Sequence, residues 1–514
     1  MLVGDLPTIN ARRIPDREGL IWGNERITWA QLNSRVNRLA NGLIDMGVQP
    51  GSRVAFLLNN GKELVELCYA IAKIGCAFAP IMPRSVGREV AYIVNNIEAS
   101  ALFVGSQHAS VVEEVRREMH SLGSVVGVGD GHPFKADYEE LVGKSPDKEP
   151  SIRIDPDSIC AILHTSGTTG SPKGCILRHR PLVMNLLRSL RHIPSNEDDR
   201  GLLFMPLCMG LSNMLLHEYA LRGIPTVLLP NFEETEVLKA IEREKVTLNV
   251  VVEAPFDRLV VHPDLDRYDL GSIRYWWATS ATRDAREGIN KIRKVKSFHG
   301  RFWNAYGSTE GGSFVSFCSP DAVERALEDP DFGHIFKSVG QEAILNRIDC
   351  VGDDGVPVPQ GEIGEMVIRG PGIFGGYWKQ PEETRKVLRD GQLWTGDLAR
   401  KDKNGFIFLE GRKRDMIKSG GINVYPAEIE EILRGHSKVL EVAAVGVPDE
   451  RWGERVVACV VRRNPCTEEE LLDYCATRLA GYKKPKSIVF VDGLPKSNAG
   501  KILKRELREK LIGK

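Results

Sequence analysis

The segment 164–174, HTSGTTGSPKG, gathers hydroxyls, three glycines and a single lysine directly after an apolar run, ICAILH (159–164), that reads as a strand. A loop in that position can aim several backbone N–H groups at an anion, because glycines let the backbone approach closely. Thr165, Ser166, Thr168 and Thr169 add hydroxyl donors, Gly167 adds close approach, and Lys173 adds a point charge. The spacing is not that of a Walker loop. Pro172 stands where the second glycine belongs, and Gly174 where a magnesium-binding hydroxyl belongs. The loop therefore reads as a phosphate cradle outside the GTPase and P-loop kinase class.

Outward from this loop the chain repeats one theme, a short apolar strand followed by an amphipathic helix. SRVAFLLNN (52–60) reads as a strand, and GKELVELCYAIAKIG (61–75) as a helix with Leu64, Leu67, Ile71 and Ile74 on one face. CAFAPIMP (76–83) is the next strand. IPTVLLP (224–230), EVLKAIEREKV (236–246) and TLNVVVEAP (247–255) repeat strand, helix, strand. Such alternation predicts α/β layers with largely parallel sheets. Between about 355 and 410 the texture changes to Gly, Pro and short strand-like runs, as in GVPVPQGEIGEMVIRGPGIFGGYW, which predicts a small β subdomain. After GRKRDMIKSGG (411–421) a new α+β unit begins. Pro426 opens a helix, where its missing N–H costs nothing. VLEVAAVGV (439–447), ERVVACVVRR (454–463) and KSIVFVDG (486–493) read as strands around a helix at 467–481. The expected fold class is α/β: a large N-terminal domain (1–413) of layered βα subdomains plus a small β subdomain, then a small mobile α+β C-terminal domain (414–514).

A chain of 514 residues exceeds one ordinary core and calls for two or more domains. Lys+Arg and Asp+Glu both number 69, so the balanced charge argues against nucleic acid as a partner. The N-terminus lacks a signal-peptide core, and no apolar run is long enough for an integral membrane segment. The ten cysteines are scattered without metal-ligand spacing, which predicts reduced, mostly buried thiols and a cytoplasmic setting.

Five segments in order, TSGTTGSPKG (165–174), NAYGSTEGG (304–312), WTGDL (394–398), GRKRDMIKSGG (411–421) and PKSNAGKILKREL (495–507), resemble the adenylate-forming superfamily of acyl-CoA synthetases, peptide-synthetase adenylation domains and beetle luciferases. The resemblance covers nearly the whole chain. It implies that a carboxylate attacks the α-phosphorus of ATP to give acyl-AMP and pyrophosphate, and that a thiol, usually of coenzyme A, then takes the acyl group. Thr165 to Lys173 would cradle the β- and γ-phosphates. Tyr306 would stack on adenine beside Gly307, Thr309 would contact the α-phosphate, and Glu310 would hold magnesium (Mg2+), a hard cation suited to one carboxylate plus phosphate oxygens. Asp397 and Arg412 would bind ribose. Lys501 would reach in from the small domain and stabilise charge developing on the carboxylate and α-phosphate. The hinge falls on Arg414, where relatives carry Lys or Asp. Lys418, Gly420 and Gly421 would line the coenzyme A tunnel.

The acid pocket is assigned to Met209, Gly210, Thr279, Ser280 and Ala305. Cys208 and Met209 stand where many relatives carry an aromatic–histidine pair, and YWWATSATRD (275–284) replaces a glycine-rich stretch. Trp276 and Trp277 are read as core. A flexible methionine beside a glycine gives an apolar, adaptable wall, so the expected substrate is a hydrophobic carboxylic acid, whether fatty, alicyclic or aryl. The expected partners are that acid, ATP and coenzyme A, on a monomer or homodimer. A carrier-protein thiol in place of coenzyme A is one alternative. An amino-acid-activating domain is disfavoured by the absence of an acidic residue in CMGLSN (208–213). A luciferase-type oxygenase would share every motif, and a non-catalytic nucleotide-binding scaffold is the reading from another class.

Overall fold

A computed structural model describes residues 1–165, 172–193, 195–278, 285–419, 422–496 and 502–512. Among them are two large sheets. One has seven strands, in which Ser124–Val128, Ala101–Gly105, Arg53–Leu57, Ala77–Ile81 and Ile159–Thr165 run parallel. The other has nine, with a parallel centre running from Glu18–Trp22 through Thr226–Leu228, Gly201–Leu203, Leu248–Val251 and Tyr275–Ala278 to Arg301–Ser308. The antiparallel strand Gly312–Cys318 follows at one side.

Helices fill the space between these sheets. The sequence predicts one apolar face on the helix Lys62–Lys73, yet every residue from Leu64 to Lys73 is buried. The helix Gly210–Arg222 is likewise buried from Ser212 to Ala220. The two touch where the Tyr69 hydroxyl donates to the Leu216 carbonyl at 3.3 Å. Their buried positions include the polar Glu66, Lys73, Asn213, His217 and Glu218, which is why periodicity alone understates their burial. The segment 247–255 was expected to be strand throughout. It ends as one at Val251, and Glu253–Val260 is a helix with Glu253 in its first turn, where a carboxylate favours the helix dipole.

The 355–410 region forms the expected β unit: Arg347–Val351, Gly364–Arg369, Gln392–Lys401 and Ile407–Arg412 pair antiparallel, beside the short helix Pro381–Val387. A one-turn helix, Lys413–Asp415, leads to a separate C-terminal sheet. There Val439–Asp449 and Gly453–Arg462 form a long hairpin, Ser487–Phe490 runs parallel to the latter, and Pro426–Arg434 packs alongside. The basic C-terminal stretch holds a helix, Lys504–Ile512. Leu507 is buried against the hairpin, and Lys504 and Arg508 pair with Glu430 and Glu454 at 2.7 and 2.6 Å. All ten cysteines are buried, and no helix among the described residues is long and apolar enough to cross a membrane.

Candidate active site

Strand pairing sets Thr165 beside Lys173 and Asp397 beside Arg412, and side-chain contacts link Tyr306 and Glu310 to these pairs. Ile159–Thr165 pairs antiparallel with Lys173–Arg178, Thr165 opposite Lys173. Lys173 thus stands at the start of a strand. Its Nζ lies 2.6 Å from Glu383 and 5.1 Å from the centre of the Tyr377 ring. Glu383 also pairs with Lys386, and Lys173 followed by Lys386 holds its carboxyl down at about 2. The Tyr377 hydroxyl donates to Glu310 at 2.9 Å, and burial, then the Glu310 charge, raise the phenol above its ordinary value. Glu310 is held from behind as well, its carbonyl accepting from the Phe374 N–H at 2.8 Å. Glu383, Lys173, Tyr377 and Glu310 therefore form one connected group, an ammonium and a neutral phenol between two carboxylates.

A second group joins two other sheets, with Asp397 and Arg412 on the five-stranded sheet and Tyr306 on the nine-stranded one. Asp397 and Arg412 face each other in register, and Arg412 Nε lies 2.7 Å from the Asp397 carboxylate. The buried Tyr306 hydroxyl donates to the other carboxylate oxygen. Burial raises that phenol well above its usual value, and the Asp397 charge adds to it. Burial opposes the Arg412 charge, but Asp397 beside it keeps the guanidinium above its ordinary value. Thr395 fixes the turn: its hydroxyl accepts from the Asp397 N–H at 3.0 Å and donates to the Met366 carbonyl at 2.8 Å, while its carbonyl takes Arg412 at 3.1 Å. The result is a buried carboxylate, 6% exposed, oriented by one phenol and one guanidinium. Such a group accepts hydrogen bonds from a diol.

The helix Gly210–Arg222 begins against this site. A Cβ on Gly210 would sit 2.8 Å from the Thr309 hydroxyl oxygen, so any larger residue there would displace Thr309. Met209 caps that helix, and Cys208 meets Met82 at 3.5 Å between sulfurs. Buried Asn60 clamps the preceding segment, accepting from the Leu207 N–H at 2.9 Å and donating to Met205 and Leu229. Ala305 is buried on the strand that carries Tyr306 and Gly307.

Arg414 and Lys418 stand apart from both groups. Arg414 lies exposed on the one-turn helix, 3.7 Å from Asp415, and Lys418 belongs to the C-terminal sheet, its N–H donating to Glu454 at 2.8 Å. Ser166, Gly167, Thr168, Thr169, Thr279, Ser280, Gly420, Gly421 and Lys501 lie outside the described residues. Tyr377, Glu383, Thr395 and Met82 were not singled out from sequence. Tyr377 lies within the quoted glycine-rich stretch and Glu383 just after it, but nothing local marks them; they acquire meaning only beside Lys173, where Tyr377 bridges to Cys175 at the edge of the seven-stranded sheet.

No group of three or more potential metal ligands occurs among the described residues. Glu310, a single carboxylate with a phenol donor, suits Mg2+ that keeps most of its ligands from water and phosphate.

The chain matches the family model of AMP-binding enzymes over residues 8–378 and that of the AMP-binding enzyme C-terminal domain over 428–501. It is 35% identical to a feruloyl-CoA synthase of Amycolatopsis sp over 511 residues, covering 99% of each chain. It is 34% identical to the long-chain-fatty-acid–CoA ligase FadD13 of Mycobacterium tuberculosis over 486 residues, 94% of this chain and 93% of that one. Among solved structures, the o-succinylbenzoate CoA synthetase of Bacillus subtilis with its acyl-adenylate intermediate superposes with a TM-score of 0.85 at 27% identity, covering 98% of both chains.

Proposed function

The chain belongs to the AMP-binding enzyme family, and from that membership we propose that it is an AMP-forming ligase joining a hydrophobic carboxylic acid to coenzyme A. The observation that carries this reading is the buried Asp397 held between Tyr306 and Arg412, next to the Lys173–Tyr377–Glu310 group. One group suits a ribose and the other a polyphosphate with its cation, the two ends of ATP.

In this reading Asp397 accepts from both ribose hydroxyls and Arg412 keeps its orientation. The Tyr306 ring packs on adenine. Lys173 and the hydroxyls of 165–169 take the β- and γ-phosphates and stabilise the departing pyrophosphate. Thr309 donates to the α-phosphate beside the helix start at Gly210. Glu310 would hold Mg2+, which supplies charge neutralisation for the phosphates when bound. Such chemistry asks the protein mainly to position groups and neutralise charge. Lys501 is assigned the electrostatic role at the reacting carboxylate and α-phosphate. The small domain, 414–514, is proposed to turn about Arg414 and bring Lys418, Gly420 and Gly421 to the acyl site for thiol attack. Met209, Gly210, Thr279, Ser280 and Ala305 are proposed to line the acid site. Ten buried thiols support a reducing, cytoplasmic setting.

The test is acid-dependent exchange of labelled pyrophosphate into ATP, followed by coenzyme A addition. Exchange that needs an acid, and that gives way to net AMP formation once coenzyme A is present, supports the reading. Exchange without any response to coenzyme A would favour a carrier-protein thiol. Nucleotide binding without exchange for any acid would favour a scaffold.

A further inference from the structure

The relatives above act, by name, on an aryl acid and on long-chain acids, so likeness leaves the acid class open. The packing between the helix Gly210–Arg222 and the strand Arg301–Ser308 bears on it directly. In a strand alternate residues share a face, so Trp303 and Ala305 point the same way, about 7 Å apart. Trp277 stands in register beside Trp303, and their rings stack at 5.3 Å between centroids and 18° between planes. Phe314 meets both rings edge-on at 5.3 and 5.2 Å, and Phe317, opposite Ala305, lies 5.1 Å from Trp303. The stack is anchored: Trp277 Nε1 donates to Asn304 at 3.3 Å, and Asn304 donates to the Ser338 carbonyl at 2.9 Å. Trp303 is 2% exposed and Trp277 6%. Behind Trp303 and Phe314, towards Leu215 and Tyr219 of the helix, the remaining cavity measures about 10 Å³, room for about one water molecule. Trp277 is thus core, as expected, but it is core immediately next to the acid site.

We infer that Trp303, backed by Trp277 and Phe314, is the floor of the acid site and restricts the enzyme to short, planar aryl acids rather than long-chain acids. This rests on the ligase reading above. An acid whose carboxyl lies near Thr309 and Gly210 passes Ala305 and meets the indole of Trp303 within about one ring length. An aromatic ring gains offset or edge contact with that wall. Among the described residues, Leu215, Tyr219 and Phe314 leave only that small cavity behind the wall, so a long alkyl chain finds no continuation in that direction. Trp303 is a specificity-determining residue in this account.

The test uses the full-length protein and non-hydrolysable acyl-sulfamoyladenosines, which stand in for acyl-AMP. Dissociation constants for the benzoyl and hexadecanoyl analogues are measured by calorimetry. Wild type is expected to prefer the benzoyl analogue about 10- to 100-fold, the scale of burying one aromatic side chain. Trp303→Gly removes most of that preference by binding the long chain more tightly, whereas Trp303→Phe retains it. Equal affinity of wild type for the two analogues overturns the inference, and that measurement stands even if Trp303→Gly does not fold. A folded Trp303→Gly with an unchanged ratio overturns it too. If neither analogue binds wild type, the ligase reading itself fails and takes the floor with it.

Discussion

Lys173 offers the sharpest perturbation, because its partner is a side chain of the same protein. In the ligase reading the Glu383 carboxylate stands where phosphate oxygens arrive, 2.6 Å from Nζ. ATP must displace it or bind against its charge. A carboxyl held at about 2 instead of the ordinary 4.5 has an interaction of at most about 3.4 kcal/mol with its cations. Lys386 takes part of that, and the Glu383 side chain is 28% exposed, so solvent screens the pair. The share belonging to Lys173 is then about 1 kcal/mol, the scale measured for partly exposed pairs. Glu383→Gln should therefore lower the KM for ATP about fivefold with little change in kcat. Initial rates of AMP formation at saturating acid and coenzyme A give the number. Lys173→Met should abolish the difference between Glu and Gln at 383, which a double-mutant cycle reads directly. An unchanged or raised KM for ATP in Glu383→Gln would refute the reasoning, since the carboxylate would then be positioning Lys173 rather than competing for it.

Further outcomes follow from the other groups. Asp397→Asn removes the charge that orders Tyr306 and Arg412 and should weaken AMP binding about 10- to 100-fold by calorimetry, the scale of a hydrogen bond to a charged group; a change below twofold would remove Asp397 from the ribose site. Lys501→Ala should lower acid-dependent pyrophosphate exchange about 10²- to 10³-fold while sparing coenzyme A transfer from supplied acyl-adenylate, and equal loss of both halves would argue against its role. Acid stability should be governed by buried histidines. Burial lowers His164 and His179 to about 4 and His217 to about 3, against about 6.5 in the unfolded chain. Each is neutral in the fold and takes a proton on unfolding, so its stabilisation is complete above pH 6.5 and is lost as pH falls towards the folded value. The loss is about 1.4 kcal/mol per histidine per pH unit. Urea midpoints should be flat near pH 7–8 and fall steeply from 6.5 to 5, less steeply in His217→Leu; a flat profile to pH 5 would contradict the assignment.

How much was legible in the sequence depended on how local each cause was. The strand at 159–165 and the helix from Pro426 follow from apolar runs and a proline at a first turn, both readable from neighbours alone. The helix Glu253–Val260 was hidden because the strand before it ends in a run of valines and no glycine marks the junction. The C-terminal helix was hidden by its charge: Lys504 and Arg508 look solvated until Glu430 and Glu454, more than fifty residues away, are placed beside them. Within the site, Tyr306, Asp397 and Arg412 were singled out because they stand in segments that resemble a known pattern, and the structure brings the three into contact. Tyr377 and Glu383 were not, since each matters through a contact with Lys173, about two hundred residues away in the chain. Trp303 is an intermediate case. Its burial was foreseeable from its type, but its position on the same face as Ala305 mattered only once Trp277 was placed in register beside it.

The central claim is tested most directly by mass spectrometry of one reaction. Full-length protein is supplied with ATP, Mg2+, coenzyme A and a pool of aryl, alicyclic, fatty and amino acids. The account predicts one or more new acyl-CoA species, from aryl acids first, with AMP and pyrophosphate formed in equal amount to the thioester. ADP in place of AMP, or ATP left intact across the whole pool, would contradict it.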